Sequence, residues 1–388
     1  MTDEQLIKEI TAIDWEFASE DTQYLTHNIH RYSGKFIPQI AAKAIELLTT
    51  KGDVILDSYA GSGTTLLEAA LHGRNSIGVD INPLAILISK AKTTAVTQNE
   101  LNEIYEGLIP FIISLTSGDQ MSIMDLYDDR SKYVVSYSLN TWRLSDEWNC
   151  KWYQKDVLAQ LVQIYSYIDT IENESARDIA LVAFSDILRK SSNASSKYPN
   201  VMFDKNAKKK ALPAKAYLET LTHVVDCVLK MSTAVRKQNV STTVICHNNL
   251  HLPIGADFVD AVISHPPYIA AVPYAEYGSL SLTWLGYDKK KLDGELTGGK
   301  RHSANVVLRF CEDYQKYFVE CYRVLKKEHY MFLMVGNPVA HGKKVDLSQL
   351  TEMYAINAGF KHVYTAIRHG QNRRGNKMGD EYLLFFKK

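Results

Sequence analysis

Val54-Ile55-Leu56-Asp57-Ser58-Tyr59-Ala60-Gly61-Ser62-Gly63-Thr64-Thr65 is the stretch that decides how this chain is read. Val54, Ile55 and Leu56 make a short apolar run, the mark of a buried strand. Leu66, Leu67, Ala69, Ala70 and Leu71 follow in a helical pattern, so Gly61 and Gly63 fall in a strand-to-helix turn. Open α/β sheets bind nucleotide-like ligands at such turns. Glycine lets the backbone approach closely, and the helix N-terminus offers unpaired N–H groups. The third position of a dinucleotide G-x-G-x-x-G pattern is Leu66 here, and no lysine follows the glycines. Both a phosphate-cradling NAD site and a P-loop are therefore disfavoured.

The next strand, Ser76-Ile77-Gly78-Val79-Asp80, ends in a carboxylate. An acid at the end of the second strand is the expected partner of two ribose hydroxyls. S-adenosylmethionine has that ribose and no phosphate, so the expected cofactor is this methyl donor.

Composition bounds the rest. The 388 residues are 46% hydrophobic and 23% charged, ordinary for a globular protein with room for one large domain or two. No apolar run is long enough to span a membrane, and the first residues are acidic and polar, unlike a signal peptide. The five cysteines form no C-x-x-C pair, so neither a disulfide scaffold nor a zinc module is expected. His247 and His251 lack a third ligand at zincin spacing and read as loop residues; no metal is expected. A reducing, cytoplasmic setting follows. The 44 basic residues balance the 44 acidic ones, which argues against a strongly basic nucleic-acid binder. The cations are clustered, however: Lys205, Lys208, Lys209, Lys210 and Lys215, then Lys289-Lys290-Lys291, Lys300-Arg301-His302, and Arg368-His369 with Arg373-Arg374 and Lys377. Together they suggest a basic groove.

The α/β alternation covers residues 1–92 and resumes over 241–388. Pro38 starts a helix ahead of the first strand, and Asn82-Pro83 starts another after the second. Residues 93–240 read as a helical insertion, with apolar faces from Val157 to Ile168 and from Ile179 to Leu188. The expected architecture is a Rossmann-like seven-stranded sheet with a large helical insertion. Residues 1–92 and 241–388 are expected to form the two halves of this domain, with 93–240 inserted between them.

The strand Asp257–Ser264 runs straight into His265-Pro266-Pro267-Tyr268. Proline cannot donate to a ladder, so the strand must stop there. The two rigid residues aim the Pro266 carbonyl and the Tyr268 ring, a geometry suited to holding a planar amine by acceptors while stacking its ring.

These motifs resemble the S-adenosylmethionine-dependent amino-methyltransferases of DNA, which modify adenine N6 or cytosine N4. The likeness rests on the Asp57–Thr65 turn, on His265-Pro266-Pro267-Tyr268, on the segment His30–Gln39 and on the closing Glu381–Phe386. The resemblance implies a site-specific, restriction-modification enzyme acting on double-stranded DNA, with a cognate restriction endonuclease as a candidate partner. It implies cofactor contacts from Lys35, Phe36, Asp57, Tyr59, Ala60, Gly61, Gly63, Thr64, Thr65, Asp80, Asn82 and Asn248. Asp57 and the glycine turn would hold the methionine part, Asp80 the ribose and Asn248 the adenine edge, with Lys35 and Phe36 closing over them. His265, Pro266, Pro267 and Tyr268 would grip a base flipped from the duplex, and Lys197, Lys208, Lys209, Lys210, Arg301, Arg373 and Arg374 would meet DNA. The family's first catalytic position is Asp, Asn or Ser, and this chain has His265. A neutral imidazole can accept from an amine; a protonated one cannot. Cytosine N4 is favoured over adenine N6. The rival readings are an RNA base amino-methyltransferase and a catalytically degenerate DNA-binding subunit.

Overall fold

Among the described residues, nine strands alternate with helices through the two flanks of the chain. The computed structural model describes residues 2–35, 37–116, 146–198, 200–269, 272–299, 303–340, 342–369 and 379–388. Phe36, Lys300, Arg301, His302, Arg373 and Arg374 lie outside the described residues.

The strands are β1 (Val54–Asp57), β2 (Asn75–Asp80), β3 (Thr242–Cys246), β4 (Val259–Ser264), β5 (Leu325–Gly336), β6 (Val339–Ala340), β7 (Lys343–Lys344), β8 (Lys361–Arg368) and β9 (Glu381–Lys387). Seven of them form one sheet in the order β3-β2-β1-β4-β5-β9-β8, while β6 and β7 make a separate ribbon. The first five in that order run parallel, and β9 is antiparallel to both its neighbours. This is the Rossmann-like methyltransferase sheet that the sequence predicts. Chain order reverses between β1 and β4, so a crevice must open at their C-terminal ends.

Both sheet faces are covered, which explains why the central strands read as continuous apolar runs. Side chains alternate between two cores. Leu56, Val262, Leu333 and Leu384 pack on one face, and Ile55, Ala261, Ile263, Phe332 and Phe385 on the other. The second face is covered by α1 (Asp3–Thr11) and α2 (Pro38–Leu48), through Leu6, Ile10, Ile40, Ala44 and Ile45. Pro38 stands at the N-terminal end of α2, where its missing N–H costs nothing.

Helices α3 (Thr64–Leu71) and α4 (Pro83–Thr93) follow β1 and β2. Gly63 caps α3 in left-handed conformation (φ 76°), and a Cβ there would come within 2.9 Å of Ser89 on α4. Leu66 fills the space over β2: a Cβ on Gly78 would lie 2.4 Å from it. The close helix-to-strand approach that a third turn glycine would allow is thus made from the strand side.

Between 93 and 240 the described elements are helices. They include α5 (Ile109–Thr116), α6 (Glu147–Trp152), α7 (Lys155–Ile168), α8 (Glu174–Ser191) and α9 (Pro213–Arg236). Their apolar faces share one core with Leu84, Leu87 and Ile88 of α4. After β4 come α10 (Tyr274–Tyr277), α11 (Ser279–Trp284), α12 (Lys289–Glu295) and α13 (Val306–Val324), and α14 (Leu347–Ala358) precedes β8. Trp284 is fully buried between Tyr165 and Phe184, with ring centroids 5.5 and 5.1 Å away, and pins the insertion to the segment that follows the Pro-Pro-Tyr loop. On α13, Phe310, Tyr314, Tyr317, Phe318 and Cys321 form one buried face against the sheet, each large apolar side chain contributing about 1.5–3 kcal/mol.

Candidate active site

A cleft of about 1030 Å³ opens at the C-terminal ends of β1, β2 and β4. Its described lining includes Tyr32, Gly34, Ser58, Tyr59, Gly61, Asp80, Asn82, Asn248, Asn249, His265, Pro267, Tyr268, Tyr274 and the stretch from Asp293 to Gly299. The two motifs separated by two hundred residues therefore face one space.

At one end, Asp80 ties the glycine turn to β2. One carboxylate oxygen accepts from the Gly61 N–H and the other from the Asn82 N–H, both at 2.8 Å. Burial raises its pKa, while those backbone bonds oppose the rise. The carboxylate has lone-pair capacity beyond these bonds to accept from a ligand hydroxyl. Asn82 caps α4 by accepting from Leu84 N at 3.1 Å, and its amide reaches the Tyr32 hydroxyl at 3.5 Å. The Asn248 side chain accepts from Leu250 N, and Asn249 donates to the Ser58 carbonyl, both at 2.9 Å.

Asp57 lies beneath the cleft and does not line it. Its carboxylate accepts from the Ser264 hydroxyl at 2.6 Å and from Tyr59 N at 3.2 Å, and the Thr65 hydroxyl stands near it. Burial pushes it up to about 6 against those contacts. This residue joins the ends of β1 and β4 and shapes the turn from below. Ser264 is consumed in the same contacts, also accepting from Tyr59 N at 3.1 Å, so only His265 is left to face the cleft at the head of the Pro-Pro-Tyr motif. Ala60, Gly63, Thr64 and Thr65 build the turn without lining the cleft.

Lys35 turns away. Its ammonium donates to the His27 carbonyl at 2.7 Å, and the left-handed Gly34 (φ 80°) reverses the chain just before it. Tyr32 and Gly34, not Lys35, bring the early segment to the cleft. Tyr32 and Tyr274 stack there, with centroids 6.1 Å apart and rings 29° from parallel.

At the other end, His265 Nε2 and the Tyr268 hydroxyl share a hydrogen bond of 2.8 Å. Burial holds the imidazole down to about 4, against a bond to the Gly34 backbone, so at neutral pH the ring is uncharged and can accept. Tyr268 is 9% exposed, its hydroxyl faces Glu381, and burial raises its pKa well above the ordinary value. Pro267 lines the cleft, and Pro266 is buried behind it.

Lys197, Lys208, Lys209 and Lys210 lie away from the cleft in the exposed connection between α8 and α9, and none forms an ion pair among the described residues. Gln154 anchors that connection, donating to the Lys208 carbonyl at 2.9 Å and accepting from Lys210 N at 3.0 Å. Sequence reasoning missed Tyr274 and the Asp293–Gly299 stretch. The latter is joined to the turn by the 3.2 Å contact between the Tyr59 and Thr297 hydroxyls. No local motif marks these residues, and they arrive only through packing.

The described lining carries three carboxylates (Asp80, Asp293 and Glu295) and no lysine or arginine. Such a wall suits a phosphate-free nucleoside bearing positive charge, which is what S-adenosylmethionine is. Among the described residues no cluster of His, Cys, Asp and Glu could hold a metal ion, and no helix is long and apolar enough to cross a membrane.

Comparison with known proteins agrees with this geometry. The N6/N4 DNA methylase family matches residues 5–91. The type II methyltransferase M.MvaI of Kocuria varians is 26% identical over 92% of this chain and 87% of its own length. The type II methyltransferase M.MjaII of Methanocaldococcus jannaschii is 42% identical, over only 21% of this chain and 16% of its own length. M.BsoBI of Geobacillus stearothermophilus, also a type II methyltransferase, is 26% identical over 69% of this chain and 54% of its own. With the sheet order, the glycine turn and the Pro-Pro-Tyr motif in place, the chain resembles the S-adenosylmethionine-dependent amino-methyltransferases of DNA along most of its length.

Proposed function

We propose that this protein methylates the exocyclic amino group of a base flipped out of double-stranded DNA, with cytosine N4 favoured over adenine N6. The observation that carries the reading is that the Gly61–Asp80 corner and the His265–Tyr268 loop open into one cleft. Asp80 takes the ribose hydroxyls, Asn248 the adenine edge, and the backbone of the Tyr59–Gly63 turn the methionine end. The cofactor supplies an electrophilic methyl on a sulfonium, whose C–S bonding electrons leave with the thioether.

The chain's own residues orient the nucleophile. Tyr268 presents a ring on which the base stacks, and the Pro266 carbonyl and His265 accept from the amino group. Two acceptors in fixed positions turn the nitrogen lone pair toward the methyl. Positioning and electrostatics then supply most of the acceleration. His265 takes the proton that the methylated nitrogen sheds. The uncharged state of its ring supports a working site over a degenerate one. Segment 93–240, with Lys197 and Lys208–Lys210, carries duplex recognition, and a cognate endonuclease would share the target sequence.

The test is transfer from methyl-labelled S-adenosylmethionine to mixed bacterial DNA and, separately, RNA, with mass spectrometry of the digested nucleosides. N4-methylcytosine is the expected product. N6-methyladenine would reassign the base, and label in RNA alone would sink the DNA reading.

A further inference from the structure

At the rim of the cleft stands an element that the proposed chemistry does not use. β5 ends at Gly336, where a Cβ would come within 3.3 Å of the Tyr268 ring, and the chain then folds into the β6–β7 ribbon. Val339 follows three residues later, so its backbone stands at most about 11 Å from Gly336. β5 runs parallel to β4, with Leu333 beside Ser264, so the ribbon leaves the sheet at the end where the cleft opens. Val339 pairs with Lys344 and Ala340 with Lys343, and Gly342 (φ 75°) makes the tight return. Strands this short do not hold themselves together, so tertiary contacts must fix the ribbon. Ala340 is 3% exposed and packs into the core of the sheet. Val345 N donates to the Pro338 carbonyl at 2.9 Å. Asn337 donates to Asp346 at 3.2 Å and accepts from Ser348 N at 3.0 Å.

That anchoring leaves the outward face unexplained. Val339 is 64% exposed, more than any other large apolar side chain among the described residues. Lys343 and Lys344 are exposed, and neither forms an ion pair among the described residues. Val307 of α13, Ala340, Lys343, Lys344, Asp346 and Leu350 of α14 line one groove beside the ribbon. Its single carboxylate, Asp346, caps α14 by accepting from Gln349 N at 3.1 Å, and also accepts from the Ser348 hydroxyl at 2.7 Å. Two cations and an apolar side chain held out on a fixed ribbon suit a partner with an anionic edge and an apolar interior. A duplex offers both once a nucleotide leaves its stack. The cleft's described lining carries three carboxylates and no lysine or arginine, so charge that draws phosphates to its mouth must come from the rim.

We propose that the β6–β7 ribbon is a DNA-contacting element: Lys343 and Lys344 meet backbone phosphates beside the flipped nucleotide, and Val339 packs against the bases it leaves unstacked. This rests on the DNA methylation proposed above and adds a contact surface outside the helical insertion. In the sheet order, the cleft strands β2, β1 and β4 stand between β3, which the insertion precedes, and β5, which the ribbon follows. Insertion and ribbon therefore hold the duplex from the two sides of the cleft.

The experiment uses the full-length protein and a fluorescein-labelled DNA duplex of about 30 bp and mixed sequence, since phosphate contacts form without regard to sequence. Anisotropy titrations over a range of salt give the slope of log affinity against log salt. Lys343→Gln and Lys344→Gln should each reduce that slope by about 0.9 and weaken binding roughly tenfold at about 0.1 M salt. Val339→Asp, which sets a like charge against the phosphates, should weaken binding on its own. These side chains are exposed, so melting temperature and S-adenosylmethionine affinity should stay at the wild-type values. Lys51→Gln and Lys237→Gln remove the same charge ahead of β1 and β3, at the opposite end of the sheet, and should leave the slope unchanged. A wild type that binds the duplex, with ribbon variants that keep its slope, overturns the inference and leaves the methylation reading standing. Equal loss in the control variants assigns the effect to net charge and overturns it as well. A wild type that binds no duplex removes the proposed function and this inference together.

Discussion

At the cofactor end of the cleft the key side chain answers to backbone close in the chain, whereas at the catalytic end it answers to side chains from the other end of the fold. Asp80 bonds the N–H groups of Gly61 and Asn82, nineteen and two residues away. Tyr268 is bracketed by His265 on its own loop and Glu381 on β9. The first arrangement is a rigid corner of backbone, and the second is a contact between ionisable side chains. Binding should therefore depend on the β1–β2 corner, and turnover on the β4–β9 contact.

The strongest way to break that comparison is His265→Ala. It should lower kcat by roughly 10²–10⁴-fold, the usual worth of an acid–base group, and leave S-adenosylmethionine affinity by calorimetry unaltered. Equal loss of both would show that the two ends are not separable. Asp80→Ala should do the converse. Two charge-assisted backbone bonds and the ribose acceptors disappear, so cofactor affinity should fall by on the order of a hundredfold, given roughly 1.5–3 kcal/mol per hydrogen bond to a charged group. An affinity close to wild type would reduce Asp80 to a strut of the turn.

Ser264→Ala sharpens the comparison at the boundary between the two ends. The hydroxyl sits between Asp57 and Tyr59 N, so its loss should cost about 1–3 kcal/mol of stability in denaturant titration. The folded fraction should keep far more activity than His265→Ala. Activity lost in proportion to the histidine variant would make the serine the catalytic head of the motif.

The smallest effect is a pH dependence. Burial holds His265 down to about 4 in the folded protein, below the ordinary value of 6.5. Between those values the unfolded chain binds more protons, so this residue's contribution to stability falls as pH drops from about 6.5 toward 4. Wild type should lose more melting temperature over that window than His265→Ala, and parallel curves would count against a buried neutral ring.

Much of the scaffold was legible because it is local. The Val54–Thr65 stretch, the Asp80 terminus and the Pro-Pro break after β4 announce strand ends by residue type alone, and strand ends are where such sheets bind. The direction of side chains was less legible. Lys35 sits three residues before a helix like a lid, yet it points to the His27 carbonyl because Gly34 reverses the backbone. Asp57 ends β1 like a ligand, yet it faces down into the Ser264 and Thr65 hydroxyls.

The sequence by itself determined the sheet class, the order of its two functional corners and the kind of ligand they face. Glycine, proline and terminal carboxylates constrain the backbone within a few residues, so their meaning survives without a fold. Only the tertiary structure decided which polar groups are spent on each other and which face the cleft. That choice belongs to pairs such as Ser264 with Asp57, Ser58 with Tyr317, and Thr297 with Tyr59, whose members are far apart in the chain. Their hydrogen bonds have geometry only after the sheet has closed.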